Sequence, residues 1–182
     1  AANLRLEQLQ DPRLLAFLQN PLSPALETST NTASWYPWSS ALHFLHRLAC
    51  HWKKGREAVR GKPEVLNRPD YSFKLDKPED QVPKGEETVH IGLRERGSPI
   101  DLIVSESMVA ANSHWGQWLD EHKVPGIYRT QASLSPGSKV RMVTHAAPHA
   151  GMGVASYIWA TSPLRRYIDL LNQWQLLACV QH

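Results

Sequence analysis

Tyr157-Ile158-Trp159-Ala160-Thr161-Ser162-Pro163-Leu164-Arg165-Arg166-Tyr167-Ile168-Asp169-Leu170 joins the last loop of the chain to its last predicted helix. Thr161 and Ser162 carry hydroxyls of the kind that cap helices, Pro163 suits a first helical turn, and Arg165 and Arg166 follow on that turn. Unpaired backbone N–H groups, hydroxyls and guanidinium charge therefore converge on one spot. Such a spot favours phosphate, because the helix dipole and orphan amides suit an anion and arginine adds a two-pronged donor. Asp169 lies four residues after Arg165 and three after Arg166, within reach of an ion pair along the helix. The same residues also suit a plainly capped helix with surface arginines. On these residues alone both readings stand.

Outward from this stretch, Pro163 to about Val180 has the apolar spacing of a helix, while residues 126–130 and 139–144 read as strands separated by the turn Ser135-Pro136-Gly137. Pro99 and Ile100 open a long helical pattern through Leu102, Ile103, Met108, Val109, Ala111, Trp115 and Leu119, closing near Lys123 and Pro125. This predicts a central buried helix. Tyr71 to Leu75 and Thr88 to Leu93 alternate as strands around the turn-forming Pro83-Lys84-Gly85, which predicts a hairpin. From Ser40, Leu42, Leu45, Leu48, Ala49 and Trp52 recur at helical spacing, with Gly61 as a stop. The basic run Lys53, Lys54, Arg56, Arg60 reads first as a solvated helix end and second as an RNA contact. His43, His46 and His51 have no carboxylate at ligand spacing and read as packing or surface histidines. Residues 22–40, rich in Ser, Thr, Asn and Pro, predict a loop pinned by Trp35, Tyr36 and Trp38. Before it, Asp11-Pro12 starts a short helix through Leu14, Leu15, Phe17 and Leu18 that Pro21 and Pro24 stop. The order predicts an α+β domain of mixed helices and antiparallel strands, without internal repeats.

With 182 residues, of which 42% are hydrophobic and 20% charged, the chain suits one globular domain and is not of disordered or collagenous composition. Lys plus Arg exceed Asp plus Glu by 20 to 17, a formal charge of +3. With a pI near 9.0, this tilts the chain weakly toward polyanionic partners. Cys50 and Cys179 match no metal-ligand spacing and read as reduced thiols, which suggests a cytoplasmic setting. No apolar run approaches the roughly 20 residues needed to cross a bilayer, and residues 1–5 do not read as a signal peptide.

Thr161-Ser162-Pro163-Leu164-Arg165-Arg166-Tyr167-x-Asp169-Leu170 resembles the signature of the ribonuclease II family of 3′→5′ exoribonucleases. Glu106-Ser107-Met108-Val109-Ala110-Ala111-Asn112 resembles the family's Glu-x-Met-x-x-Ala-Asn helix, and Pro125-Gly126-Ile127-Tyr128-Arg129 follows at the family's distance. Arg68-Pro69-Asp70-Tyr71 and Pro148-His149-x-Gly151 also fit family positions. In the family's order, these blocks cover the chain from about Asn3 to its end, as the middle and later part of the catalytic domain.

The resemblance implies hydrolysis of single-stranded RNA from the 3′ end to nucleoside 5′-monophosphates, by a monomer. It places Arg165 at the scissile phosphate as the catalytic group. Glu106 and Asn112 would line the channel near the 3′-terminal nucleotides, with Glu106 reading a ribose hydroxyl. Arg129, Thr161, Ser162 and Arg166 would complete the RNA-binding set. Magnesium in this family is held by an early aspartate cluster and activates water. No such cluster occurs here: Glu79-Asp80 and Glu86-Glu87 read as solvated loops. Residues 1–182 are thus expected to be a partial catalytic domain without metal ligands and without a C-terminal RNA-binding barrel, inactive alone in magnesium. Leu6 stands where some members have an active-site tyrosine, and Val65 and Leu66 where an aromatic stacking residue can occur. The alternative is a non-catalytic RNA-binding or scaffold protein of the same fold.

Overall fold

Asp11 starts the first well-anchored element. Its carboxylate accepts the Arg13 N–H at 2.9 Å, with Pro12 in the first turn, so the helix begins where its orphan donors are met. The same carboxylate takes the Trp35 indole N–H at 3.2 Å and so fixes the loop that follows to the helix start. The computed structural model describes residues 4, 6–20, 34–64, 70–76, 81–94 and 97–181. The five helices found there are α1 Leu6–Leu9, α2 Pro12–Gln19, α3 Ser39–Arg60, α4 Pro99–Glu121 and α5 Tyr167–Gln181. The strands are β1 Asp70–Leu75, β2 Val89–Arg94, β3 Tyr128–Thr130 and β4 Arg141–Val143. The fold is α+β, as the sequence predicts.

α4 is the central helix. Its buried positions Ile100, Ile103, Glu106, Val109, Asn112, Gly116 and Leu119 recur every three or four residues and form one stripe. The first half of this stripe packs with Leu14, Leu18, Trp35, Leu42 and Ala49 from α2, the loop and α3. The second half joins Tyr128, Ile158, Ala160 and Leu176 in a second core, made with β3, the 157–160 segment and α5. One helix thus carries the scaffold at one end and the signature segment at the other.

α3 ends where Gly61 takes a left-handed conformation, φ 74°, and donates back to Glu57 and Ala58 carbonyls. Another glycine, Gly153, brings a turn onto this helix: a β-carbon there would lie 2.2 Å from the Arg56 carbonyl oxygen, and its φ is +66°. The basic run at the end of α3 is not wholly solvated as expected. Arg56 is 8% exposed and is bonded by Glu106 and Glu64, because the packed turn closes over it.

β1 and β2 form the predicted antiparallel hairpin, with Tyr71 opposite Leu93, Phe73 opposite Ile91 and Leu75 opposite Val89. These six apolar residues share one face and are all exposed. β3 and β4 also pair, and Tyr128 bridges to Ile158, so the signature segment continues that small sheet.

The last helix corrects the sequence reading. It starts at Tyr167, and residues 163–165 form a turn before it rather than a first helical turn. Of the three loop aromatics, only Trp35 is buried; Tyr36 and Trp38 are exposed, as are Leu45 and Trp115 on their helices. Arg68, Pro69, Val65, Leu66, Glu79, Asp80, the Leu6 side chain and residues 22–33 of the expected loop lie outside the described residues. No described helix is long and apolar enough to cross a membrane.

Candidate functional site

Two buried asparagines fasten the signature segment. Asn112 on α4 accepts the Ala160 N–H at 3.1 Å, and its Nδ2 donates to Tyr157 Oη at 3.3 Å and Thr161 Oγ1 at 3.4 Å. Asn172 on α5 accepts the Ile127 N–H at 2.8 Å and donates to the Ile127 and Trp159 carbonyls at 3.0 and 2.8 Å. An unmet buried polar group costs about 1–3 kcal/mol; Asn172 meets both ends of its amide on backbone, while Asn112 meets its oxygen on backbone and its Nδ2 on two hydroxyls. The path of residues 157–161 is therefore set by α4 and α5.

The turn that follows is tied at its base. Arg165 and Arg166 both donate their backbone N–H to the Ser162 carbonyl, at 3.3 and 3.1 Å. Asp169, fully buried in the first turn of α5, reaches back to accept the Ser162 N–H at 2.8 Å and Arg166 Nη2 at 2.7 Å. This i,i+3 ion pair engages Arg166 and leaves Arg165 to solvent. Among the described residues, the Arg165 guanidinium makes only a long 3.5 Å contact with Ser162 Oγ. Arg165 is thus a held backbone bearing an available cation.

Arg129, on β3, is placed by its N–H bond to the Tyr157 carbonyl at 2.8 Å. Its guanidinium carbon lies 4.4 Å from the Trp159 ring centroid, and that of Arg166 lies 4.5 Å from the same ring. Two cations on one ring can be no further apart than the sum of these distances. At roughly 9 Å and an effective dielectric of 20 they repel by about 2 kcal/mol. Asp169 offsets the charge of Arg166. Among the described residues Arg129 has no carboxylate partner. Arg129, Arg165 and Arg166 together make a surface whose excess positive charge suits a phosphate chain.

The structure brings Arg129, Thr161, Ser162, Arg165 and Arg166 into this one region. It does not open Glu106 and Asn112 to it. Glu106 is 2% exposed, and its oxygens take Arg56 Nε and Nη2, with Nε at 2.9 Å. Asn112 is 1% exposed and fully engaged by the segment. Both side chains have internal partners. The sequence motifs give no role to Trp159, which joins two arginines, or to Asn172, which holds two backbone segments. Asn172 lies three residues after Asp169 and four before Leu176, on one helical face, and that spacing is the signal that points to it.

His149 sits behind Arg129, buried, with Nδ1 accepting the Met152 N–H at 3.2 Å. Burial, and then the charge of Arg129, lower its pKa below the ordinary imidazole value. Among the described residues no three His, Cys, Asp or Glu side chains gather to hold a metal ion. The described donors therefore do not fit the magnesium that the resemblance implies.

The chain matches the RNB domain family over residues 16–142 and 134–182. An uncharacterized ribonuclease of Synechocystis is 28% identical over 149 residues, covering 70% of this chain and 20% of the relative. Exoribonuclease 2 of Vibrio parahaemolyticus is 24% identical over 204 residues, covering 82% of this chain and 29% of the relative. The Dss1 exoribonuclease of Candida glabrata, solved as an active-site mutant, superposes with a TM-score of 0.65 at 20% identity. That match covers 92% of this chain and 24% of the Dss1 chain and shows a shared fold. This chain thus spans between a fifth and a third of the length of the curated relatives it matches.

Proposed function

The chain belongs to the RNB domain family, and on that premise we propose that it is the phosphate-holding part of a 3′→5′ exoribonuclease that hydrolyses single-stranded RNA to nucleoside 5′-monophosphates. Residues 1–182 are, in this reading, part of a catalytic domain. The exoribonuclease relatives support the ribonuclease class. Direction, products and the single-strand preference come from the resemblance of the signature segment. Its two free cysteines, Cys50 exposed, suit a reducing cytoplasm.

Arg165 carries the proposal. Its backbone is held by Ser162 while its guanidinium stays exposed, so a cation is carried on a fixed turn and is open to an incoming phosphate. Hydrolysis of a phosphodiester builds negative charge on the phosphate oxygens, and a cation brought against them lowers that barrier. Arg129 and Arg166 hold neighbouring phosphates, and the hydroxyls of Thr161 and Ser162 border the same path. Magnesium supplies the activated water in this chemistry. The described residues bring together no group of side chains to hold it.

The test is single-turnover cleavage of a labelled RNA, beside its equilibrium binding, in the polypeptide that carries this chain. Arg165→Ala should lower the cleavage rate by about 10²-fold or more, the scale for removing one preorganised donor, with binding changed much less. Arg165→Lys keeps the charge but loses the planar fork and should stay clearly impaired. Arg166→Ala should be milder. Unchanged cleavage in Arg165→Ala would remove the residue from the mechanism and return the segment to a capped turn with surface arginines.

A further inference from the structure

We infer that Trp159 is a positioning residue for RNA binding, presenting its indole to Arg129 and Arg166 so that both guanidinium groups are set in place as a pair. This rests on the phosphate-holding reading above. The two arginines come from distant parts of the chain, one on β3 and one on the turn before α5, and Trp159 is where they meet. Neither arginine is held by charge alone. Arg129 has no carboxylate partner among the described residues. Arg166 shares Asp169 through Nη2, while its Nε is buried with no hydrogen-bond partner among the described residues. The indole face thus supplies an attraction that the polar groups around it do not.

The backbone that carries the ring is well fixed. The Trp159 carbonyl accepts Asn172 Nδ2 at 2.8 Å, and the residues on either side, Ile158 and Ala160, are fully buried. An aromatic ring carried on a fixed backbone reduces the freedom of a cation resting on it before binding. Association then loses less side-chain entropy, which is the general advantage of a preorganised surface. Like charge held on one ring also favours any ligand that brings negative charge to both cations.

The experiment uses the 182-residue chain and a fluorescently labelled single-stranded RNA in a binding titration, with Trp159→Leu, Trp159→Phe, the Arg129→Ala/Arg166→Ala pair and the triple variant Trp159→Leu/Arg129→Ala/Arg166→Ala. Far-UV circular dichroism checks folding. Trp159→Leu should weaken binding about tenfold, the scale for ordering two long side chains on binding. Trp159→Phe keeps an aromatic face and should recover most of that loss. In the chain already lacking both arginines, Trp159→Leu should cost nothing further. An equal loss with and without the arginines would overturn the proposal and make Trp159 a base-stacking residue. A second readout needs no RNA: the Arg129 and Arg166 side-chain N–H signals in nitrogen-15 NMR should carry the indole ring-current shift and lose it in Trp159→Leu. Absence of that shift in the unsubstituted chain overturns the proposal by itself. If the shift is present but the Arg129→Ala/Arg166→Ala pair leaves RNA binding unchanged, the phosphate-holding reading fails instead, and the positioning role for RNA falls with it.

Discussion

Replacing Glu106 by alanine removes the inner partner of Arg56. Arg56 is 8% exposed and Glu106 is 2% exposed, so the pair sits where an unpartnered charge cannot be solvated. Breaking a buried ion pair from one side costs about 3–5 kcal/mol. Two contacts to Arg56 survive: Glu64, 3.0 Å away on a side chain 29% exposed, and the Met152 carbonyl at 2.6 Å. They hold the expected loss to the lower end, about 3 kcal/mol. For a chain of this length each kcal/mol moves Tm by about 2–4 °C, so Glu106→Ala should melt about 6–12 °C lower. The joint replacement Arg56→Met/Glu106→Leu removes both charges and should recover much of that loss, since apolar residues often replace a buried pair at little cost. Thermal and urea denaturation of the unsubstituted chain, Arg56→Met, Glu106→Leu and their double variant measures the cycle, with Glu106→Ala beside it. A loss below about 1 kcal/mol in Glu106→Ala, or a double variant as unstable as the sum of its singles, would show that the pair does not bind α3 to α4.

Two further outcomes follow from the same region. Because the folded His149 has a lowered pKa, the unfolded chain binds a proton that the folded chain refuses. Stability should be complete above roughly pH 6.5, the ordinary imidazole value, and fall as pH drops below it. In His149→Gln that part of the slope should vanish, and thermal melts of both proteins across pH 5–8 decide it; identical slopes would contradict the assignment. Gly153→Ala should cost about 2 kcal/mol or more, because the added carbon meets the Arg56 carbonyl and the backbone φ is +66°. A near-neutral urea midpoint would show that the turn does not press on α3.

The elements with strong spacing were legible in the sequence. α3 and α4 follow from apolar periodicity, and Gly61 and Pro99 mark their stop and start. The start of α5 was not, because Thr161, Ser162 and Pro163 have the chemistry of a helix start while the boundary is decided by Asp169 reaching back to Ser162. In the sequence Arg56 reads as part of a solvated run, and the structure buries it. Its place was visible in one respect: Leu42, Ala49 and Arg56 stand at seven-residue intervals, the spacing of one buried helical face. Glu106 likewise lies on the stripe of Ile103 and Val109. Two opposite charges on two apolar stripes are what a buried pair looks like in sequence. The meeting of Arg129 and Arg166 on Trp159 has no such signal, since it depends on how β3 and the turn before α5 are packed. The resemblance of the signature segment located the arginine surface; only the fold shows which of its members are free.

Whether Arg129, Arg165 and Arg166 form one phosphate-holding surface is measured by the salt dependence of RNA binding. Each phosphate neutralised on a single strand releases about 0.7 of a counterion, so three contacts give a slope of log K against log salt of about −2 or steeper. Fluorescence anisotropy of the 182-residue chain with a labelled single-stranded RNA, from low to physiological salt, measures that slope. Arg165→Ala should make it shallower by about 0.7. RNA binding that does not change with salt, or a slope that survives the loss of all three arginines, would contradict the account.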